Sequence, residues 1–305
     1  MDFRTLRTFV EVVRQGGFSQ AAKVVFTTQS TVSKAVKQLE TELGVPLLDR
    51  KGHRSKLTAN GEVVYRRALK ILAERDDLAA ELDELRGLKQ GTLRLGLPLV
   101  GSELFAPLFA IYRRRYPDVD IRLVEHTGDR LKEILQSGEI ELSASLLPVS
   151  DEFEWQEVAN EPLVALLPAD HALARKKSID LANLQHLPFI LFEKGFQLHR
   201  VILAACRRRG FEPAIVTRSS QIDFMAELAA AGLGIAFLPR MIAEQRRHPS
   251  VRLVRLAEPE TTWNIAMIWR RGGYLSHAAK AWLAIVRERY AKGSVGPSLL
   301  SRARS

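Results

Sequence analysis

Between Phe18 and Glu42 the chain reads FSQAAKVVFTTQSTVSKAVKQLETE, and the polar groups here are spaced for recognition rather than for bond-making. Ser30, Ser33, Lys34, Lys37 and Thr41 fall on one side of a 3.6-residue helix. Val32, Val36, Leu39 and Leu43 step by four, three and four along the other. The outward side carries hydroxyls and ammonium groups, with no carboxylate before Glu40. Such a face suits a DNA major groove: Lys meets phosphate or guanine, Gln29 can read adenine, and Ser or Thr can serve either. Thr27 or Thr28 can accept a hydrogen bond from an orphan backbone N–H and start the helix. Taken alone, a solvated surface helix is the commoner explanation of such a face. The candidate DNA-contact set is Ser19, Thr28, Gln29, Ser30, Thr31, Ser33, Lys34 and Lys37, joined by Arg50 and Arg54.

These side chains need a frame. Phe3, Leu6, Phe9 or Val10, and Val13 recur at helical spacing, so Phe3–Gln15 is expected to be a helix ended by Gly16-Gly17. Packed under the next two helices, it completes a three-helix core. After Gly44, VPLLDRKGHRSKLT places a Lys51–Arg54 tip between Leu47-Leu48 and Leu57, the pattern of a small hairpin or wing. Arg50, Lys51, Arg54 and Lys56 can then reach phosphates or a minor groove. Charge agrees with this placement. Residues 1–70 hold 13 Lys and Arg against 6 Asp and Glu, a net of +7; residues 71–90 hold 3 against 6, a net of −3. A basic module before an acidic spacer fits a nucleic-acid reader with a separate body.

The stretch GGFSQAAKVVFTTQSTVSKAVKQLETELGVPLLDR resembles the helix-turn-helix of the LysR-type transcriptional regulators. The family pattern is met at Phe18, Ala21-Ala22, Gln29, Ser33, Lys34, Leu39-Glu40, Leu43-Gly44, Pro46-Leu47 and Arg50. The N-terminal match runs through Leu57-Thr58, and later landmarks fit to about Tyr290. Ser30 departs from it, since a proline is common there. The resemblance implies a homotetramer on double-stranded promoter DNA, controlled by a small-molecule effector that changes the angle between DNA-binding pairs. RNA polymerase is a further candidate partner.

Residues 59–88 form one long helical pattern without proline. Ala68, Ile71, Leu78, Leu82 and Leu85 follow three- and four-residue steps, broken at Arg75, as in a coiled-coil seam. A lone helix of about 28 residues has no core of its own, so a partner helix is expected. Packing against the same chain is the alternative. Because DNA half-sites are commonly read by symmetric dimers, self-association is favoured. The resemblance implies the same, with this element as the linker helix that pairs between subunits.

From Gly91 apolar strands alternate with helices, indicating a parallel α/β sheet. Strands are expected at Thr92–Leu97, Ile121–Glu125, Ile140–Leu147, Phe189–Phe192, Ala214–Thr217, Ile235–Leu238 and Trp263–Trp269, with Glu161–Pro168 crossing between two units. Helices are expected from Ser102 to about Tyr116 and at Asp129–Gln136, Leu198–Arg208, Gln221–Ala230 and Ser276–Tyr290. The expected organisation has three parts. Residues 1–58 form an all-α winged helix-turn-helix, 59–89 a dimerising linker helix, and 90–305 a two-lobed α/β effector domain similar to periplasmic binding proteins. Lobe I takes about 91–161 plus 264–290, and lobe II about 162–263. The tail AKGSVGPSLLSRARS lacks periodicity and is expected to be disordered.

In a two-lobed α/β body the ligand sits in the crevice at the carboxyl ends of strands. The candidate effector-binding residues are therefore Leu99, Val100, Gly101 and Ser102 after the first strand, Thr127 and Gly128 after the second, and Leu146 and Leu147 at the end of the third. The second lobe adds Phe196, Gln197, His199, Ser219 and Gln221. Helix starts at 102, 128 and 221 would aim N–H groups into the crevice and favour a carboxylate or polarised oxygen. Each Ser or Thr here is individually more often a plain helix cap.

Other chemistries find little support. Gly232-Leu233-Gly234 lacks the third glycine and the strand–helix order of a dinucleotide site. No two histidines have ligand spacing, so neither metal nor cofactor is expected. Arg207-Arg208-Arg209 could depress the Cys206 thiol, but a packed helix cysteine is the commoner case. One cysteine excludes an internal disulfide and suits a reducing cytoplasm. Met1–Arg7 enters a helix with interspersed charges, so no signal peptide is expected, and no apolar run reaches membrane-span length. A sequence-specific regulator sensing a small molecule is the reading adopted. A small-molecule-binding protein with a basic extension is the alternative, and an enzyme is disfavoured for want of any acid–base or cofactor motif.

Overall fold

The computed structural model describes residues 1–49, 56–85 and 91–290. They form two compact units, Met1–Lys89 with Glu133–Ile140, and Gln90–Lys132 with Glu141–Ser305. The first contains α1 (Phe3–Arg14), α2 (Phe18–Val24), α3 (Gln29–Leu43), a ribbon of β1 (Leu48–Asp49) and β2 (Lys56–Leu57), and α4 (Ala59–Leu85). Its core joins Leu6, Phe9, Val10 and Val12 of α1 to Ala21 and Ala22 of α2 and to Val32, Val36 and Leu39 of α3. Leu43 differs from expectation. It is 37% exposed, because it lies in the last turn, where Gly44 takes a left-handed φ of 68° and turns the chain away.

Glu40 reads in sequence as a blemish on a positive face, yet its Oε1 accepts the backbone N–H groups of Leu47 (2.9 Å) and Leu48 (3.2 Å). It thereby fixes where the antiparallel ribbon leaves α3. Thr58 donates to the Pro46 carbonyl (2.7 Å) and accepts from Gly61 N–H (2.9 Å), which begins α4. The expected wing tip, including Arg50 and Arg54, and the expected disordered tail lie outside the described residues.

The α4 seam needs correction. Ala68 is buried in the first unit's own core with Leu72, so it is not free to meet a partner. Ile71, Leu78 and Leu82 are exposed at 38%, 57% and 45%. The helix turns 100° per residue, so one long stripe cannot face a compact core and solvent together; the apolar positions divide between them. The Leu85 side chain lies outside the described residues.

The second unit runs β3 (Thr92–Pro98), α5 (Ser102–Arg115), β4 (Asp120–His126), α6 (Gly128–Gln136, of which residues 133–136 count with the first unit), β5 (Leu142–Leu146) and β6 (Phe153–Pro168). It continues with β7 (Ser178–Ile179), β8 (Phe189–Phe192), α7 (Gln197–Arg208), β9 (Ile215–Ser219), α8 (Ile222–Ala230), β10 (Ile235–Pro239), α9 (Arg240–Gln245), β11 (Val251–Leu256), β12 (Thr262–Arg270) and α10 (His277–Arg289). The strand order β4-β3-β5-β12-β6-β10-β8-β9 passes through both lobes. Strands β3, β4 and β5 are parallel, as expected; β12 is antiparallel to β5 and β6, so the sheet is mixed.

The 16-residue β6 serves both lobes. Its first half pairs with β12, and Leu163–Leu167, buried throughout, lies between β10 and β11. β11 escapes sequence reading because the exposed Arg252 and Arg255 break both its apolar run and its alternation.

Candidate functional site

On α3 the Thr28 hydroxyl accepts the Thr31 N–H (3.3 Å) and lies 2.9 Å from the Ser30 hydroxyl and 2.8 Å from that of Thr31. Ser19, Gln29, Ser30, Thr31, Lys34 and Lys37 are exposed and Ser33 is half-buried. Among the described residues no carboxylate pairs with Lys34 or Lys37. The outward face is therefore positive and hydroxyl-rich at its N-terminal half, where the helix dipole also favours an anion.

Sequence reading missed Phe26. It stands in the turn between α2 and α3, 95% exposed and at φ 53°, a left-handed conformation that a side chain of this size rarely adopts. Beside it opens a groove of ≈ 330 Å³ bordered by Arg4, Arg7 and Thr31.

In the second unit the carboxyl ends of β3, β4 and β5 meet the start of α7 and the start of β12. Leu99, Val100, Thr127, Gly128, Leu146, Phe196 and Gln197 line one hollow, together with Pro98, His126, Leu198, Trp263 and Ile265. Trp263 and Ile265 were not anticipated. They belong to the returning strand, and a segment that crosses between lobes must pass the floor of the crevice.

Six anticipated residues stand elsewhere. Ser102 is exposed and not the cap, since Gly101, at φ 114°, is the N-cap of α5 and advances the helix start by one residue. Gly101 itself is buried beside the hollow rather than lining it. Leu147 has left β5, and its N–H donates to the Asn264 carbonyl (2.9 Å). His199 is 5% exposed with Nδ1 2.8 Å from the Phe192 carbonyl, a satisfied core histidine. Ser219 ends β9, the outermost strand of its lobe, Gln221 follows it, and the Gln221 N–H donates to the Ser219 hydroxyl (3.0 Å).

The hollow offers ≈ 30 Å³ of free space. Much of its space is taken by Gln197, which reaches from lobe II into lobe I. Its Oε1 accepts the Leu146 N–H (3.0 Å), and its Nε2 donates to the Ser145 hydroxyl (3.1 Å). Gly128 makes this path possible, because an added Cβ would come within 2.7 Å of the Gln197 Cδ. At the rim Arg200 grips Asp129 with both terminal nitrogens (2.5 and 2.8 Å), and Arg246 pairs with Glu103 and Asp223.

Magnitudes rank these ties. Arg200 and Asp129 are 47% and 53% exposed, so their pair contributes about 0–1 kcal/mol. Stranding the buried Leu146 N–H would cost about 1–3 kcal/mol, while the Ser145 hydroxyl keeps the Leu146 carbonyl (3.5 Å) as a partner. The glutamine is the stronger clasp. The lining offers neither Arg, Lys, Asp nor Glu. Among the described residues no three His, Cys, Asp or Glu side chains could together hold a metal ion, and no helix is long and apolar enough to cross a membrane.

A helix-turn-helix with an antiparallel ribbon and a two-lobed α/β body with a crevice between its lobes define a ligand-responsive DNA-binding regulator. Residues 3–62 match the family "Bacterial regulatory helix-turn-helix protein, lysR family", and residues 86–291 match the "LysR substrate binding domain". The chain belongs to the LysR-type transcriptional regulators. It is similar to the HTH-type transcriptional regulator YwbI of Bacillus subtilis, 36% identical over 285 residues that cover 93% of this chain and 95% of the relative. It is also similar to the Hca operon transcriptional activator HcaR of Escherichia coli, 31% identical over 95% of this chain and 99% of that one. A full-length OxyR variant of Pseudomonas aeruginosa superposes with a TM-score of 0.72 at 25% identity, covering 94% of this chain and 95% of its own. These relatives are regulators of transcription; none is described as an enzyme.

Proposed function

We propose that residues 1–58 read promoter DNA through Ser33, Lys34 and Lys37, flanked by Ser19, Thr28, Gln29, Ser30 and Thr31, with Arg50 and Arg54 of the wing on the backbone. Residues 59–89 join copies of the chain, as a dimer and then a tetramer, and residues 90–305 sense a small cytoplasmic metabolite. The observation that carries the sensing role is the convergence of three parallel strand ends and the α7 start on one apolar hollow. Its lining, which holds no Arg, Lys, Asp or Glu, selects a small, largely apolar effector with a hydrogen-bonding group, and it disfavours a dicarboxylate, which needs a guanidinium clamp.

A ligand that binds only the native state raises its melting temperature by mass action. In a metabolite screen, one class should stabilise the full chain and lose that effect in Leu146→Arg. Equal stabilisation of parent and variant would place the sensing site elsewhere.

A further inference from the structure

Gln197 is arranged like a ligand. Its carboxamide presents an acceptor to a backbone N–H and a donor to a buried hydroxyl, both on the opposite lobe. With it in place the hollow holds ≈ 30 Å³, too little for a metabolite, while withdrawing the side chain would free the polar positions and the space together. Gly128, with no Cβ to block the way, keeps that path clear. Apart from His126, no ionisable side chain lines the hollow.

We propose that the Gln197 carboxamide is a built-in occupant of the effector's polar subsite, holding the lobes together until an effector displaces it. The effector would then carry the same pair of functions on a small apolar body: an acceptor oxygen beside an N–H donor, as in a primary carboxamide, urea or lactam. A bare carboxylate lacks that donor and finds neither Arg nor Lys in the lining to neutralise it. This inference rests on the crevice being the sensing site.

Chemical rescue of the full-length chain tests it. Gln197→Ala removes the equivalent of one acetamide molecule. Hydrogen–deuterium exchange at the Leu146 amide should then quicken by about tenfold or more, since the bond that protects it is gone. The melting temperature should fall by about 2–12 °C. Acetamide at high millimolar concentration should recover part of both changes in Gln197→Ala and neither in the parent, and acetate should recover neither.

Gln197→Asn keeps the amide but is one methylene too short to reach Ser145 and Leu146. It should also quicken the exchange, and it supplies the reading if the alanine variant does not fold. Arg200→Ala, which cuts only the exposed ion pair, should leave Leu146 protected. Unchanged exchange in both Gln197 variants, or acetamide and acetate acting alike on parent and variant, would overturn the proposal. So would an equal loss of protection in Arg200→Ala. Any of these would leave the sensing role itself to be decided by Leu146→Arg.

Discussion

Three arginines follow Cys206, yet burial decides the state of its thiol. The side chain is fully enclosed in α7, and desolvation, with Glu212 and Glu258 adding to it, pushes the thiol up to about 12. The arginines point away: Arg207 pairs with Glu212 (2.9 Å) and Arg209 with Glu258 (3.0 Å). Iodoacetamide at pH 8 should therefore leave the native chain unmodified and alkylate one residue only after denaturation, as read by intact mass. Rapid native labelling would contradict this burial.

Glu141 is a second buried ionisable group. Desolvation raises its pKa above the ordinary 4.5, against the lowering effects of Arg94 (Nε 3.8 Å from Oε2) and of the Ser276 N–H donated to Oε1 (3.1 Å). An acid raised in the native state keeps its proton there while the unfolded chain releases it. Stability is thus lost as pH climbs from about 4.5 through the raised value. Glu141→Gln should flatten that part of the melting-temperature profile. A slope identical to the parent's would show that Glu141 does not titrate in that window.

At the scale of the element, α3 has its two sides set by different demands. Val32, Val36 and Leu39 are wholly buried, so substitutions there test folding rather than recognition. Lys34 is exposed and Ser33 half-exposed, so replacing either by Ala should leave the melt nearly unchanged. Specific DNA affinity should drop by about 1–3 kcal/mol if a base contact is lost, read by gel shift against a non-specific duplex. Unchanged affinity in both variants would mean that another face of the unit reads DNA.

For the whole molecule, the proposed assembly through α4 can be tested directly. Ile71, Leu78 and Leu82 leave an apolar stripe on the exposed side of a 27-residue helix, and a buried carboxylate in such a seam is costly without a partner. Leu78→Asp or Leu82→Asp should lower the mass seen by light scattering while leaving the effector-binding unit folded. An unchanged mass would remove α4 from the interface.

Short-range patterns settled much of this protein before any coordinates. Turn residues and period-3.6 or continuous apolar runs mark α3 and most strands of the second unit within a few residues, because local sterics and solvent exposure act along the chain. Seven of the residues that line the crevice were found by one further rule, that ligands gather at strand ends. What escaped depends on contacts distant in sequence. Trp263 reaches the hollow only because β12 returns beside β6 and β5. His199 is sealed off because its helix face turns inward to Phe192, and Ser219 is remote because β9 is outermost. Ala68 is spent on its own core. Gln197, visible only as a polar residue at a helix start, becomes a clasp because folding brings Ser145 and Leu146 within 3.1 Å of it. Periodicity fixes which way a side chain points relative to its own element. Which neighbour it meets is decided when the elements pack, since only then do buried polar groups compete for partners.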